Sequence, residues 1–351
     1  MITDMIARLT AGESFSREEA REAMLFLMQG EASDAQIATL LTALKMRGET
    51  VQELAGFAQG MREVATRISP AAAPLVDTCG TGGDCLSTFN ISTAAAFIAA
   101  GAGVYVAKHG NRAVSSACGS ADVLEALGVD IALPADEVRE CIERIGIGFL
   151  FAPSFHPAMR HVMRARREMG IPTAFNLLGP LANPAGAESQ VLGVGSREKA
   201  PLLAETLAEL GSRRAMVVHA EDGMDEFSTT SPTLVWDISP QGVRSFLCEP
   251  EALGIAPASL QDLAGGDCAE ANARIVREDV LSGNKGPRRD IAVLNAAAAI
   301  LVAGKADDLA EGISMAEQSI DSGAAMGKLE ELAGFTSIVS ADGAVSGAGS
   351  G

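Results

Sequence analysis

The sequence predicts an α/β protein in which a small all-helical N-terminal domain precedes a larger α/β domain with a mainly parallel central sheet. Three observations carry that expectation. From Ile2 to about Arg67 the apolar residues recur with helical spacing and no strand candidate appears. The Pro/Ala segment Ser69-Pro70-Ala71-Ala72-Ala73-Pro74 then marks a linker. Beyond it, short apolar runs break into glycine loops that lead into helices, the pattern of strand–loop–helix units around a parallel sheet. The division expected is a helical domain over 1–70, joined by part of 155–185, an α/β domain over 71–340 and a flexible Gly/Ser/Ala-rich tail over 341–351.

In chain order, Ser16 before Arg17-Glu18-Glu19 and Ser33 before Asp34-Ala35-Gln36 are helix-capping signals. Leu75 to Asp77 reads as a strand, Ser92 to Gly101 as a helix, Val104 to Ala107 as a second strand and Ser120 to Leu127 as the next helix. Further strands are expected at Ser189–Val194, Arg214–His219 and Thr233–Asp237, with a polar-rich helix over His156–Met169. In such a sheet the loops leaving the carboxyl ends of the strands share one edge, so the loops after Asp77 and Ala107 should converge on one crevice.

Composition narrows the partners. Lys and Arg number 27 against 45 Asp and Glu, a formal net charge of −18, which opposes the attraction that a phosphate backbone requires. Nucleic acid is not expected. The six cysteines are scattered without metal-ligand spacing and read as reduced thiols of a cytoplasmic protein. The start Met1-Ile2-Thr3-Asp4 has no basic stretch followed by an apolar core, so no signal peptide is expected, and the apolar run Ala94–Val106 is too short to span a bilayer.

Four constellations could carry chemistry. The first is Gly80-Thr81-Gly82-Gly83-Asp84, followed by Thr88, Asn90, Ser92 and Thr93 at a helix start. Glycines let backbone N–H groups approach a phosphate, and a helix start adds unpaired donors. A tight turn would explain the glycines alone equally well; the carboxylate, amide and hydroxyls that follow exceed what a cap uses. The second is Lys108-His109-Gly110-Asn111-Arg112-Ala113-Val114-Ser115-Ser116, a cationic loop in an acidic chain, which suits either a solvated surface or a phosphate-rich ligand.

The third, Glu221-Asp222-Gly223-Met224-Asp225-Glu226, crowds carboxylates at a strand end. Hard oxygen ligands opposite a phosphate site suit Mg²⁺, which binds through a few carboxylates plus substrate phosphates, and Asp225 and Glu226 are the expected carriers. The fourth is Phe151 to Met159 with the arginines to Arg167; a guanidinium among these would suit the carboxylate of an aromatic acid. No Ser-His-Asp order, CxxC or HExxH motif is present.

In these residues the chain resembles the anthranilate phosphoribosyltransferase family. GTGGD at Gly80–Asp84, TFNIST at Thr88–Thr93, KHGNR at Lys108–Arg112, GSADVLEALG at Gly119–Gly128, FAPSFHPAM at Phe151–Met159, NLLGPLANP at Asn176–Pro184 and DE at Asp225–Glu226 stand in the family's order across nearly the whole chain. One departure is Cys85, where the family commonly has glycine.

The resemblance implies a nucleoside phosphorylase-like phosphoribosyltransferase fold, a cytoplasmic homodimer and a step of L-tryptophan biosynthesis. The activity implied is transfer of the phosphoribosyl group of 5-phosphoribosyl 1-pyrophosphate to the amine of anthranilate. Binding of phosphoribosyl pyrophosphate is implied for Gly80, Gly83, Asp84, Thr88, Asn90, Ile91, Ser92, Thr93, Lys108, His109, Gly110, Asn111, Arg112, Ala113, Val114, Ser115, Ser116 and Ser120. Lys108 and Asp84 are the implied catalytic groups, with Lys108 aimed at the departing pyrophosphate. Gly80, His109, Asn111, His156 and Arg166 would form the anthranilate side. Two Mg²⁺ per monomer are implied, one on Ser92 and Glu226 and one on Asp225 and Glu226.

Two rivals compete with this reading. A pyrimidine nucleoside phosphorylase shares the architecture but carries K-x-S-G-R in the second loop, where this chain has Lys-His-Gly-Asn-Arg. A catalytically silent relative that binds nucleic acid is opposed by the net charge of −18 and by the presence of Asn111 and Arg166.

Overall fold

The computed structural model describes residues 2–113 and 118–347. Four helices open the chain: α1 (Ile2–Thr10), α2 (Arg17–Met28), α3 (Asp34–Arg47) and α4 (Val51–Val64). Ser16, Ser33 and Thr50 each close a capping box with Glu19, Gln36 and Glu53, which satisfies the first orphan N–H groups of α2, α3 and α4. The helix Arg160–Met169 and the segment that follows return to this bundle, and Val162, Ala165, Phe175 and Leu178 are buried in the same core as Leu27, Leu40 and Leu54.

The second body is a seven-stranded sheet in the order β3-β2-β1-β4-β5-β6-β7. The strands are β1 (Leu75–Gly80), β2 (Tyr105–Gly110), β3 (Ile147–Phe151), β4 (Ser189–Gly193), β5 (Arg214–Ala220), β6 (Thr233–Ser239) and β7 (Gly242–Cys248). The first five run parallel, and β6 and β7 are antiparallel additions at one edge. Alternation along β4 and β5 feeds two cores: Val191, Met216 and Val218 face α5 (Ile91–Gly101) and the helix Pro287–Val302, whereas Leu192, Ala215 and Val217 face the side that the helical bundle covers.

Two strands lie outside those the sequence predicts. Ile147-Gly148-Phe149-Leu150-Phe151 carries a glycine that interrupts its apolar run; a Cβ at Gly148 would lie 2.7 Å from Ile142 Cγ1. β7 exposes most of its side chains and so lacks the alternation that marks a half-buried strand. The last helix, Ala324–Gly347, continues past Ala341, where composition alone predicts a loose tail. Among the described residues no helix is long and apolar enough to cross a membrane.

The bundle and the sheet are tied by crossing segments. Thr66 N–H donates to the Phe155 carbonyl at 2.8 Å and Ile68 N–H to the Pro184 carbonyl at 3.3 Å. Arg62 Nε donates to the Leu181 carbonyl at 2.8 Å. These contacts place Phe155 to Pro184 between the two bodies, beside the carboxyl ends of β1 and β2.

Candidate active site

Because β1, β2, β4 and β5 are parallel neighbours, the loops that leave their carboxyl ends share one sheet edge. The glycine loop after β1 and the acidic loop after β5 meet there directly. Gly82 N–H donates to Asp225 Oδ2 at 2.9 Å, and Thr81 N–H to the Gly193 carbonyl at 2.9 Å. A Cβ at Gly193 would lie 1.5 Å from the Asp225 carbonyl oxygen, and one at Gly80 2.6 Å from Asp225 Oδ2. Glycine at both positions is what allows the approach.

Not every acid of the third constellation faces the site. Asp222 accepts from Met224 N–H at 3.0 Å, from the Ser228 hydroxyl at 2.9 Å and from the Thr230 hydroxyl, which spends its carboxylate on folding the loop. Asn295 brackets Phe227, accepting from its N–H at 2.9 Å and donating to its carbonyl at 2.8 Å. Between these anchors Asp225 and Glu226 point toward the glycine loop and the start of α5. Ser92 N–H donates to Glu226 Oε1 at 3.1 Å.

The charge here is unbalanced. Burial, then the neighbouring charge of Asp84, pushes Asp225 up to about 7, and Asp84 also hydrogen-bonds to it. Burial, then the charge of Asp225, pushes Glu226 up to about 8. The charge of Lys108 opposes the rise at Glu226, and burial lowers the pKa of Lys108 itself while Asp77, Cys79 and Glu226 raise it. No group of three or more His, Cys, Asp and Glu side chains among the described residues has metal-holding geometry by itself. A pair of raised carboxylates with a hydroxyl beside them fits Mg²⁺ that arrives with oxygens from its ligand.

Lys108, read from sequence as aimed at a departing group, is only 3% exposed. Its ammonium donates to the Thr78 carbonyl and lies 3.3 Å from the Ser92 hydroxyl, so it sits behind Ser92 inside the sheet edge. His109 and His156 are buried as well, with ring centroids 5.1 Å apart. Burial, then the charge of His156, holds His109 down at about 3, and burial holds His156 at about 4, so both imidazoles are neutral.

The remaining predicted residues divide by exposure. Asn111 and Arg112 are exposed, and Arg112 pairs with Asp122 at 3.0 Å and with Glu125 at 2.9 Å while its guanidinium covers the Phe151 ring at 5.6 Å. Ala113 N–H donates to Asp122, and the Ser120 hydroxyl donates to the Asn111 carbonyl at 3.4 Å, which pins the described part of the second loop to α6 (Ser120–Ala126). Val114, Ser115 and Ser116 lie outside the described residues. Thr88 bridges to Ala264, Gly83 is exposed and Asp84 is half-buried. Ile91 and Thr93 are buried, the Thr93 hydroxyl without a protein partner. Asn90 donates to the Cys118 carbonyl at 3.1 Å and keeps its Oδ1 buried and without a protein partner.

Arg166 lies beside Phe175. It is partly buried in the last turn of its helix, stacks 4.9 Å from the Phe175 ring and has no carboxylate partner among the described residues. Burial lowers its pKa. Its Nη1 donates to Met163 Sδ at 3.8 Å, and a guanidinium with no carboxylate partner suits a ligand carboxylate. Sequence reasoning missed Asp77, Asn183 and Asn295, polar residues with no charged neighbours in sequence to flag them, all at most 3% exposed.

Comparison with known proteins matches both bodies. Residues 3–65 match the helical bundle domain of the glycosyl transferase family, and residues 72–326 match its a/b domain. The anthranilate phosphoribosyltransferase of Moorella thermoacetica is 52% identical over 332 residues, covering 95% of this chain and 97% of that protein. Its counterpart in Syntrophobacter fumaroxidans is 54% identical over 336 residues, covering 96% and 99%. Among solved structures, the anthranilate phosphoribosyltransferase of Thermus thermophilus superposes with a TM-score of 0.89 at 47% identity, covering 94% of this chain and 98% of that one. The Saccharomyces cerevisiae enzyme, solved with PRPP and Mg, superposes with a TM-score of 0.87 at 30% identity, covering 96% and 98%.

Proposed function

The chain belongs to the anthranilate phosphoribosyltransferase family, and from that membership and the geometry of its site we infer that it transfers the phosphoribosyl group of phosphoribosyl pyrophosphate to the amine of anthranilate. The observation that carries the reading is the meeting of Asp84, Asp225 and Glu226 at a glycine loop. Crowded carboxylates call for a cation, and a glycine loop at a helix start calls for a phosphate. A metal-bearing pyrophosphate satisfies both.

Anthranilate's aromatic amine is already neutral, so the acceptor needs orientation more than a base. Its nitrogen attacks C1 of the ribose, the C1–O bond breaks with its electron pair leaving on pyrophosphate, and the amine gives up a proton. The demand falls on the departing oxygen, where charge grows, and on C1, which becomes oxocarbenium-like. In this reading Gly80, Gly83, Asp84, Thr88, Asn90 and the 108–116 loop, with Ser120 beside it, form the seat of the pyrophosphate. Lys108 works from behind, fixing Ser92 and offsetting Glu226.

Ser92, Asp225 and Glu226 would hold Mg²⁺, two ions in this reading, and the metal supplies charge neutralisation at the pyrophosphate oxygens when bound. Support comes from the yeast relatives solved with Mg. On the acceptor side Arg166 takes the anthranilate carboxylate, while Asn111, Gly80 and the neutral His109 and His156 shape the ring's slot. The yeast relative solved with 4-fluoroanthranilate supports an aromatic acid there. The reading includes a cytoplasmic homodimer of a helical domain at 1–70 with part of 155–185 and an α/β domain at 71–340.

The test is stoichiometry. Chromatography of a mixture of protein, anthranilate, phosphoribosyl pyrophosphate and Mg²⁺ should show one pyrophosphate formed per anthranilate consumed. Thymidine phosphorolysis with anthranilate untouched would replace this reading with a nucleoside phosphorylase.

A further inference from the structure

Beneath the site, Asp77 on β1 is a fully buried carboxylate that faces no solvent and no ligand. Three donors converge on it. His109 N–H reaches Asp77 Oδ1 at 3.1 Å, the Asn183 amide reaches Oδ2 at 2.8 Å, and the Cys79 thiol completes the set. Cys79 stays a thiol because burial, then the Asp77 charge, raises its pKa well above the ordinary value.

Each donor is itself tied to the acceptor side. Asn183 also donates to the Ala107 carbonyl at 2.8 Å and accepts from Ala185 N–H at 2.9 Å. Gln190 Nε2 donates to Cys79 Sγ at 3.0 Å and to the Pro180 carbonyl at 2.7 Å. The His109 imidazole meets the Gly179 backbone, and the His156 imidazole meets that of Ala182. One buried anion thus fastens β1, β2 and β4 to residues 179–184, the stretch that follows Phe175, on which Arg166 stacks.

A buried carboxylate carries a large desolvation cost unless its lone pairs are filled. An apolar residue would hold a strand in place without that cost. Three filled lone pairs leading to one segment mark a device for fixing geometry, because breaking any link leaves a buried polar group unsatisfied.

We propose that Asp77 is a positioning residue for the acceptor: through His109, Asn183 and the Cys79–Gln190 pair it sets the distance between β2 and the 176–184 segment, and hence the width of the anthranilate slot. The role rests on the reading of that side of the cleft as the anthranilate site. Lys108 and Ser92, on the donor side, are held by the Thr78 carbonyl and by their own contact and do not bond to Asp77; its charge reaches Lys108 through space, so the readout is the pair of Michaelis constants and not kcat.

The test separates the two Michaelis constants. Asp77→Asn keeps the volume but turns an amide toward the Asn183 amide, and should raise the KM for anthranilate about tenfold while the KM for phosphoribosyl pyrophosphate stays within about twofold. If that variant does not fold, the Cys79 pair decides: Cys79→Ala removes one donor and should raise the anthranilate KM, and Cys79→Ser, which restores a hydroxyl between Asp77 and Gln190, should return it toward the native value. Equal changes in both constants, or a loss of thermal stability with both constants unchanged, would overturn the positioning role alone. A native protein that leaves anthranilate untouched would overturn the functional reading and this role with it.

Discussion

Lys108 holds its ammonium 3.3 Å from the Ser92 hydroxyl, from a position buried inside the sheet edge. The lysine therefore acts on the donor site through Ser92 and Glu226. Lys108→Met keeps the volume and removes the charge, which leaves the Glu226 carboxylate without its nearby cation. We expect kcat to fall by a factor on the order of 10² to 10³, the usual loss for one electrostatic contributor, with far-ultraviolet circular dichroism unchanged. Asp84→Asn should act in the same direction. Native turnover in a folded Lys108→Met protein would count against this assignment.

In the proposed reading Arg166, which lies over Phe175 and has no carboxylate partner among the described residues, receives the acceptor's carboxylate. Removing it takes away a charge-assisted pair with the substrate carboxylate and leaves the donor site intact. Arg166→Ala should raise the KM for anthranilate about tenfold or more, with the KM for phosphoribosyl pyrophosphate near its native value. Steady-state kinetics with each substrate varied in turn would show it; a change confined to the donor substrate would move the acceptor elsewhere.

How far the sequence foretold this site depends on how each residue is specified. The loops at Gly80 and Lys108 and the acids Asp225 and Glu226 were legible because parallel strands bring their carboxyl ends to one edge and because glycines and charges cluster locally. The inward burial of Lys108 was not, since a lysine in a polar loop reads the same whether it faces a ligand or the sheet. Asp77 and Asn183 lie 106 residues apart and pair only in the folded chain. β7 escaped for a different reason: its side chains are mostly exposed, and no alternation records its strand.

Cys85 departs from the glycine that the family commonly carries, and its backbone shows why glycine is favoured: φ is 59°, in the left-handed region. A side chain there costs roughly 1–2 kcal/mol, part of which glycine returns through the freer unfolded chain. Cys85→Gly should stabilise the protein by about 1 kcal/mol in denaturant unfolding. A measured loss of stability would show that the thiol's hydrogen bond to the Gly83 carbonyl, at 3.7 Å, outweighs the backbone strain.

The buried neutral imidazoles predict an acid limb in stability. For His156 the folded pKa is about 4, below the ordinary value of about 6.5. Between these values the unfolded chain binds a proton that the folded chain does not, so stability falls as pH drops through about 6.5 and goes on falling to about 4. Asp77, raised to about 6 by burial, runs the opposite way, so the difference between proteins is the readout. His156→Gln should lessen the slope of unfolding free energy against pH by about one proton across that window. Parallel slopes would mean that His156 is protonated in the folded state.

In the proposed reading a carboxylate-held metal and an activated ribose act together on an aromatic amine at this sheet edge. The most direct measurement follows anthranilate fluorescence in protein stripped of metal by EDTA, then supplied with phosphoribosyl pyrophosphate, with Mg²⁺, and with both. Fluorescence should decay only when both are present. Steady fluorescence with both present, or equal decay in EDTA, would contradict that joint action.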